Sequence, residues 1–460
     1  MIKVDVTAHL SKNGRPPNGN AIEASIRQCV ADAVEGSFDE YPPHLKGMLR
    51  VRARLLNDSV INAGDHVEVR FSIGLPDQLF PVASGGLQLL VNLLAGDFFP
   101  SEVSGCRWSE ATVQNVELPD ELMAVAVKTF RQASAHDIEA IRSAFGLPAN
   151  RPLLAFSLKP RVGPTFDEIR RITLDVLAEG FNIVELDARN LALSTAPLER
   201  WIELGVEAAQ VGTHVTAFSP NVTIPAPQLL NAANAWVEGV AGHGPPVLKV
   251  DGGLDGITNL QSLRTALVGD RAPIVTSYPV LRNQLSSALG GPDAWTDLLA
   301  LSGADIVYPG GRPTFPNERR PVWGVHAEDW SRAARIYDSM IMRGWPMPTI
   351  AGGIHPGHLH ACYELVGPKV AYFLGGAVAL HPNTIRDGAR LCVDVLEEAI
   401  RLADDAVEAG NDHAADLSHR LLKRVETTKY PKTKLNYFSP ANIFGLSQEA
   451  SPQTFYRRNN

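Results

Sequence analysis

The feature that most constrains this chain is a repeat of eight short apolar runs, each followed by a segment of helical periodicity. The runs begin at Leu153, Asn182, His214, Pro246, Pro273, Ala304, Pro348 and Val370. The segments between them, such as 167–178, 197–210 and 328–341, carry apolar residues three and four apart, the pattern of a helix with one buried face. Runs too short to be helices, alternating with helices, imply strands joined by crossovers and therefore a parallel sheet. Eight such units suggest a closed (β/α)8 TIM barrel. A doubly wound open sheet is the alternative, disfavoured because no glycine-rich dinucleotide fingerprint follows the first run.

A chain of 460 residues exceeds what one core usually organises. Residues 1–145 differ in texture, with helical periodicity at 21–34 and 87–94 and strand-like alternation at 49–56 and 66–73. They read as a smaller α+β N-terminal domain. A polar helical stretch at 136–145 and the turn GLPANRP at 146–152 mark its end. The barrel domain is expected over 146–435, with a helix at 386–403 closing the eighth unit and an irregular tail at 436–460.

Composition narrows the function. Hydrophobic residues make up 45% and charged residues 20%, the balance of a folded globular chain. The net charge is −8, from 42 basic against 50 acidic residues, which argues against a general nucleic-acid binder or a basic membrane-surface protein. An anionic ligand must then be held by local groups. No run approaches the roughly 20 apolar residues of a membrane span, and the start of the chain lacks the apolar run of a signal peptide. Cys29, Cys106, Cys362 and Cys392 are scattered without a CxxC, which suits a reducing compartment and offers no structural zinc spacing. A cytoplasmic protein is the expectation.

In such barrels chemistry sits at the C-terminal ends of the strands. Here those ends are polar: Lys159 and Arg161, Glu185 and Asp187, Ser219 and Asn221, Lys249 and Asp251, then Thr276, Ser277 and Tyr278, then Tyr308 before Gly310. The seventh and eighth runs end in Gly352–Gly353 and Gly375–Gly376. Glycine lets a phosphate approach backbone N–H groups, and two such pairs on adjacent strands point to a phosphate site, although each could simply make a tight turn. Lys159 and Lys249 are candidate acid/base groups, or fixed cations for an anionic substrate, or lysines satisfied by Asp187 or Asp251 in a structural ion pair. Glu185 and Asp187 could hold Mg2+ or neutralise Lys159 and Arg161. His355, His358 and His360, in IHPGHLH, and His381 suit surface or capping roles better than a metal site.

Taken together, these motifs resemble the RuBisCO large-chain superfamily, and specifically its RuBisCO-like, non-carboxylating (form IV type) members. SLKPRVG at 157–163 is similar to the first-strand motif and places its catalytic lysine at Lys159. AGGIHPGHLH and FLGGAVALHP resemble the seventh- and eighth-strand phosphate motifs, and LQLLVNLLAGDFFPSEV resembles the N-domain helix and loop. DAVEGS puts Glu35 where the family's N-domain supplies an acidic residue to the partner subunit's site. The resemblance implies a homodimer with shared active sites and a phosphorylated small-molecule substrate.

Several positions depart from the carboxylase pattern. Its second strand reads lysine, aspartate, aspartate, glutamate, and that lysine is carbamylated to bind Mg2+. This chain has Glu185, Leu186, Asp187 and Ala188, so no carbamylated lysine is expected. Thr276, Ser277 and Tyr278 replace the histidine and arginine of the fifth strand, and Tyr308 replaces the histidine of the sixth. The loop GGRPTFPNERR at 310–320 lacks the GK motif, though Arg312, Arg319 and Arg320 could supply cations. Carboxylation is therefore not expected. What the resemblance leaves is deprotonation of carbon beside a carbonyl, by an isomerase, enolase or lyase acting on a sugar phosphate. In that scheme Lys159 is the proton shuttle, Arg161 an anion clamp and Lys249 the alternative base. A non-catalytic sugar-phosphate binder is the alternative.

Overall fold

A computed structural model describes residues 1–409 apart from 13–14, 36–52, 64–65, 81–89, 92–93, 95–101, 104–105, 123, 126–135, 162, 187–195, 279–291, 310–329, 352–353, 355 and 357–358. The chain divides into two compact units, one of Met1–Ala133, Gly252–Thr265 and Pro279–Gly303, the other of Ser134–Asp251, Ala266–Tyr278 and the chain from Ala304 onward.

The first unit carries an antiparallel sheet. Its strands are β1 (Ile2–Ser11), β2 (Arg54–Ala63), β3 (His66–Leu75), β4 (Glu102–Val103) and β5 (Cys106–Glu117), in the order β2-β3-β1-β5-β4. β1 is central, and its period is two throughout: Ile2, Val4, Val6, Ala8 and Leu10 are all buried, and Lys3, Asp5, Thr7 and His9 alternate with them. It pairs with β3 from Ile2 opposite Leu75 to Leu10 opposite Val67. Neither β1 nor β5 was anticipated, and the strand expected at 49–56 lies at 54–63, with 49–52 outside the described residues. Most of the helix expected at 87–94 also lies outside them. Helix α1 (Gly19–Glu35) buries Ile22, Ile26, Cys29 and Val30 at helical spacing, and Trp108 Nε1 of β5 donates to Ser25 Oγ at 2.8 Å.

The second unit is the barrel. Strands β6 (Leu153–Ser157), β7 (Ile183–Glu185), β8 (Ala217–Ser219), β9 (Val247–Lys249), β10 (Ile274–Ser277), β11 (Ile306–Val307), β12 (Met347–Ala351) and β13 (Ala371–Phe373) fall on the eight predicted runs, β12 starting one residue before its run. Every neighbouring pair is parallel, in the order β8-β7-β6-β13-β12-β11-β10-β9. The two ends meet just past the strands: Asn221 bridges Lys249, Val222 N donates to Lys249 O at 3.0 Å, and Lys249 N donates to Pro220 O at 3.0 Å. The sheet is thus closed, which excludes the open doubly wound alternative.

The interior is layered by strand parity. Leu153, Ala155, Ile183, Ala217, Val247, Ile274, Ile306, Met347, Ala371 and Phe373 form one apolar cluster. The stretch at 136–145, read from sequence as a polar helix at the domain boundary, does form a helix, α2 (Ile138–Ala144), but its Ile138 and Ile141, with Phe145, are buried, complete that cluster and plug the barrel end. Its buried Arg142 donates to the carbonyls of Pro148, Ala149, Arg151 and Pro368 at 2.5–3.0 Å, satisfying a charge that burial would otherwise disfavour.

The outer helices follow the pattern read from the sequence. Helix α3 (Phe166–Ala178) starts with a Thr165–Glu168 capping box and buries Phe166, Ile169, Ile172, Thr173, Val176 and Leu177. It stops at Gly180, whose φ of 109° only glycine tolerates readily. The last helix described, α4 (Ile385–Ala409), covers the helix expected at 386–403. No helix among the described residues is long and apolar enough to cross a membrane.

Candidate active site

Because side chains alternate along a strand, the residues two beyond the apolar layer must also face the interior. Applied to Ile183, Ala217, Val247, Ile274 and Ile306, this rule gives Glu185, Ser219, Lys249, Thr276 and Tyr308. All five are buried. The barrel therefore changes from wholly apolar to polar in one step, at the end where its strands terminate.

A buried ion pair dominates this polar layer. Lys249 Nζ reaches past β8 and donates to Glu185 Oε1 at 2.6 Å, and each side chain is only 3% exposed. Thr276 Oγ1 donates to the other carboxylate oxygen, Oε2, also at 2.6 Å. Strands β7, β9 and β10 thus fix one carboxylate from both sides. Lys249 Nζ also lies 5.4 Å from the centroid of the Tyr278 ring, within the range at which an aromatic face attracts a cation. Tyr278 stacks on Tyr308 with centroids 5.3 Å apart, and the Tyr308 hydroxyl donates to Ala351 O at 2.9 Å. Behind the lysine, Asn221 Nδ2 donates to Asp251 Oδ2 at 3.0 Å, Asn221 Oδ1 accepts from Thr223 N, and Thr223 Oγ1 accepts from Asp251 N. Ser219 Oγ is buried with no hydrogen bond among the described residues.

Lys159 lies two residues beyond Ser157, at the end of β6, the strand that pairs with β7. It is half-buried, and its stem runs across Gly375, the residue after Leu374 that follows β13. A Cβ on Gly375 would lie 3.2 Å from Lys159 Cε and 3.3 Å from Ser157 O. The backbone there has φ −99°, so the glycine is required for space and not for conformation. Its neighbour Gly376 has only Leu380 Cδ1 near, at 3.7 Å, so the two glycines of this pair are not equivalent.

The other predicted positions divide by what is described. Arg161 is half-buried two residues past Lys159. Glu35 ends helix α1, but its side chain is outside the description, and Asp187, Gly310, Gly352, Gly353, His355 and His358 lie wholly outside the described residues, as do Arg312, Arg319 and Arg320. His381 is half-buried and its Nδ1 accepts from Asn383 N at 3.3 Å, a local turn contact. The four cysteines are buried and free. Individual residues of the polar layer were visible as strand ends, but the pairing of Glu185 with Lys249 and Thr276 was not. The signal that could have found it is the two-residue step from each inward apolar position.

The fold and this polar layer define a (β/α)8-barrel protein with a buried polar layer at the strand ends and an antiparallel-sheet N-terminal unit. No family model matches the chain. A ribulose bisphosphate carboxylase of Archaeoglobus fulgidus is 23% identical over 422 residues, 85% of this chain and 89% of its own length. A 2,3-diketo-5-methylthiopentyl-1-phosphate enolase of Bacillus mycoides is 26% identical over 275 residues, 57% of this chain and 63% of its own. The crystal structure of a RuBisCO-like protein (MtnW) from Alicyclobacillus acidocaldarius superposes with a TM-score of 0.66 at 20% identity, covering 91% of this chain and 99% of that one. The chain is thus similar in sequence, over most of its length, to members of the RuBisCO large-chain superfamily, and shares their fold.

That likeness raises the question of whether the second-strand carboxylate could hold Mg2+. The donor set at Glu185 does not fit it. Both carboxylate oxygens are engaged, one by an ammonium at 2.6 Å and one by a hydroxyl, and a dication beside that ammonium would be repelled. Among the described residues no group of three or more histidine, cysteine, aspartate or glutamate side chains could hold a metal ion.

Proposed function

We propose that this protein is a non-carboxylating enolase-type enzyme acting on a phosphorylated carbonyl compound, with Lys159 as its proton shuttle. The observation that carries the reading is the seat of Lys159 across Gly375. The stem of the only lysine on β6 and its following loop is held against the glycine of the eighth-strand motif, so an amine and a backbone suited to a phosphate stand side by side. The similarity to an enolase named for a diketo phosphate supports the same chemistry.

In the reaction, the phosphate would rest on the glycines Gly375 and Gly376, with Gly352 and Gly353 completing the site and Arg161 clamping the anion. The amine form of Lys159 takes the proton from the carbon beside the carbonyl. The C–H pair becomes the new C=C bond, the carbonyl oxygen takes the negative charge, and reprotonation at that oxygen gives the enol. Isomerisation or loss of a leaving group could follow the same first step. A homodimer in which Glu35 is contributed across the interface, in a cytoplasmic setting, completes the proposal.

The test is hydrogen exchange in D2O. With 2,3-diketo-5-methylthiopentyl-1-phosphate and a panel of ketose phosphates, at least one substrate should exchange its α-proton in the presence of the protein, and Lys159→Met should abolish this while phosphate binding persists. Tight binding without exchange across the panel would instead make this a sugar-phosphate-binding homologue without catalytic function.

A further inference from the structure

The buried pair at the centre of the polar layer has a role that the enolisation scheme leaves unassigned. We infer that Lys249, positioned by Glu185 and Thr276, supplies the fixed positive charge at this centre in place of a divalent metal, so that the protein works metal-free there.

The inference rests on the enolase reading for its chemistry but on side-chain geometry for its substance. An enolate needs a positive charge near its oxygen, held in place before the reaction begins. Three features give Lys249 that character. Its ammonium is buried at the strand ends, where low dielectric strengthens its field. Its direction is set by Glu185, itself locked from the far side by Thr276 Oγ1. Its backbone is the point at which the barrel closes, bonded through both N and O to the Pro220–Val222 segment, so the root of the side chain is as fixed as its tip. The Tyr278 ring, itself stacked on Tyr308, faces the ammonium and limits where water can reach it.

Glu185 and Thr276 are then positioning residues. The carboxylate holds the ammonium and is not available as a ligand, which is why a metal is excluded from this position by charge as well as by occupancy. Lys249 so held acts as a cation and leaves proton transfer to Lys159.

Two measurements decide this. Metal-stripped protein is titrated with Mn2+ and followed by electron paramagnetic resonance. No stoichiometric site that depends on Glu185 is expected; one bound equivalent that disappears in the folded Glu185→Gln, Lys249→Met double variant would overturn the inference. Exchange of 2,3-diketo-5-methylthiopentyl-1-phosphate in D2O should run equally fast in excess EDTA and in Mg2+, and a requirement for Mg2+ would likewise sink it. Because a single variant leaves a buried charge alone and can unfold the barrel, the catalytic arm uses Glu185→Gln combined with Lys249→Met. This folded double variant should lose exchange by about 10²–10³-fold in kcat, the cost of removing one preorganised donor, with KM little changed. Undiminished exchange would show that Lys249 is dispensable. Exchange absent under every condition would remove the enolase reading, and the Mn2+ titration would still decide for or against the metal-free centre.

Discussion

Breaking the pair between Glu185 and Lys249 should cost far more in single variants than in the double. Lys249→Met leaves a carboxylate 3% exposed, with Thr276 Oγ1 as its remaining hydrogen bond among those named above. Glu185→Gln removes the carboxylate to which the buried ammonium donates at 2.6 Å. Removing one partner of a buried pair costs about 3–5 kcal/mol, because the other charge stays desolvated. Retention of the Thr276 hydrogen bond puts Lys249→Met near the lower figure, roughly 3 kcal/mol, and Glu185→Gln nearer 5. The double variant removes both charges and keeps most of the volume, so its cost should fall to about 1 kcal/mol or less. The cycle therefore predicts strong non-additivity between two residues on different strands. Urea unfolding followed by tryptophan fluorescence measures it, since Trp201, Trp236 and Trp345 are buried in the barrel unit. Single-variant losses below about 1 kcal/mol, or losses that simply add, would show that the two side chains are not held as a buried pair.

Other consequences follow from neighbouring geometry. Gly375→Ala should lower exchange more than stability: its Cβ would press on Lys159 Cε at 3.2 Å, a small steric insult of about 1 kcal/mol but one that moves the proposed proton shuttle, and identical exchange rates would refute the seat described for Lys159. Tyr372→Phe should be neutral or stabilising by roughly 1 kcal/mol in urea unfolding, because the buried hydroxyl has no hydrogen-bond partner among the described residues and burial pushes its ionisation well above the ordinary value. Glu179, 10% exposed at the end of α3, accepts from Arg390 and Arg386 of α4, and the Arg390 hydrogen bond first among these holds its carboxyl below the usual carboxylate value. Its contribution is therefore full above the unfolded carboxylate value of about 4.3 and is lost as pH falls toward the lower folded value. Melting temperatures between roughly pH 5 and pH 3 should fall less steeply in Arg390→Met than in the wild type, and parallel curves would show that the pair contributes nothing.

Much of the barrel was legible because its information is local. Each strand needs only a short apolar run, and each outer helix shows its buried face in spacing alone, as Phe166, Ile169, Ile172 and Val176 do in α3. The first unit was read less completely. β1 carries a plain alternation, yet alternation over one segment does not say that the segment will sit in the middle of a sheet, with β3 on one side and β5 on the other. The helix α2 is the sharper case. Its few apolar residues look insufficient beside Glu139 and Arg142, and its role depends on a barrel end that exists only once eight distant strands have closed. Arg142 looks like a surface charge until four backbone carbonyls surround it.

The candidate site divides in the same way. The sequence by itself determined that the strands end in charge, that Lys159 stands in a recognisable motif, and that the second strand has a glutamate where a carbamylated lysine would be needed. These are properties of residue type and spacing along one segment. Only the tertiary structure decided which charges meet. Lys249 and Thr276 lie 64 and 91 residues beyond Glu185 and share no local pattern with it, yet strand parity and barrel closure bring each to 2.6 Å from its carboxylate. The physical reason is that an ion pair in the interior is chosen by the mutual need of two desolvated charges, and that need arises only after the chain has excluded the water around both.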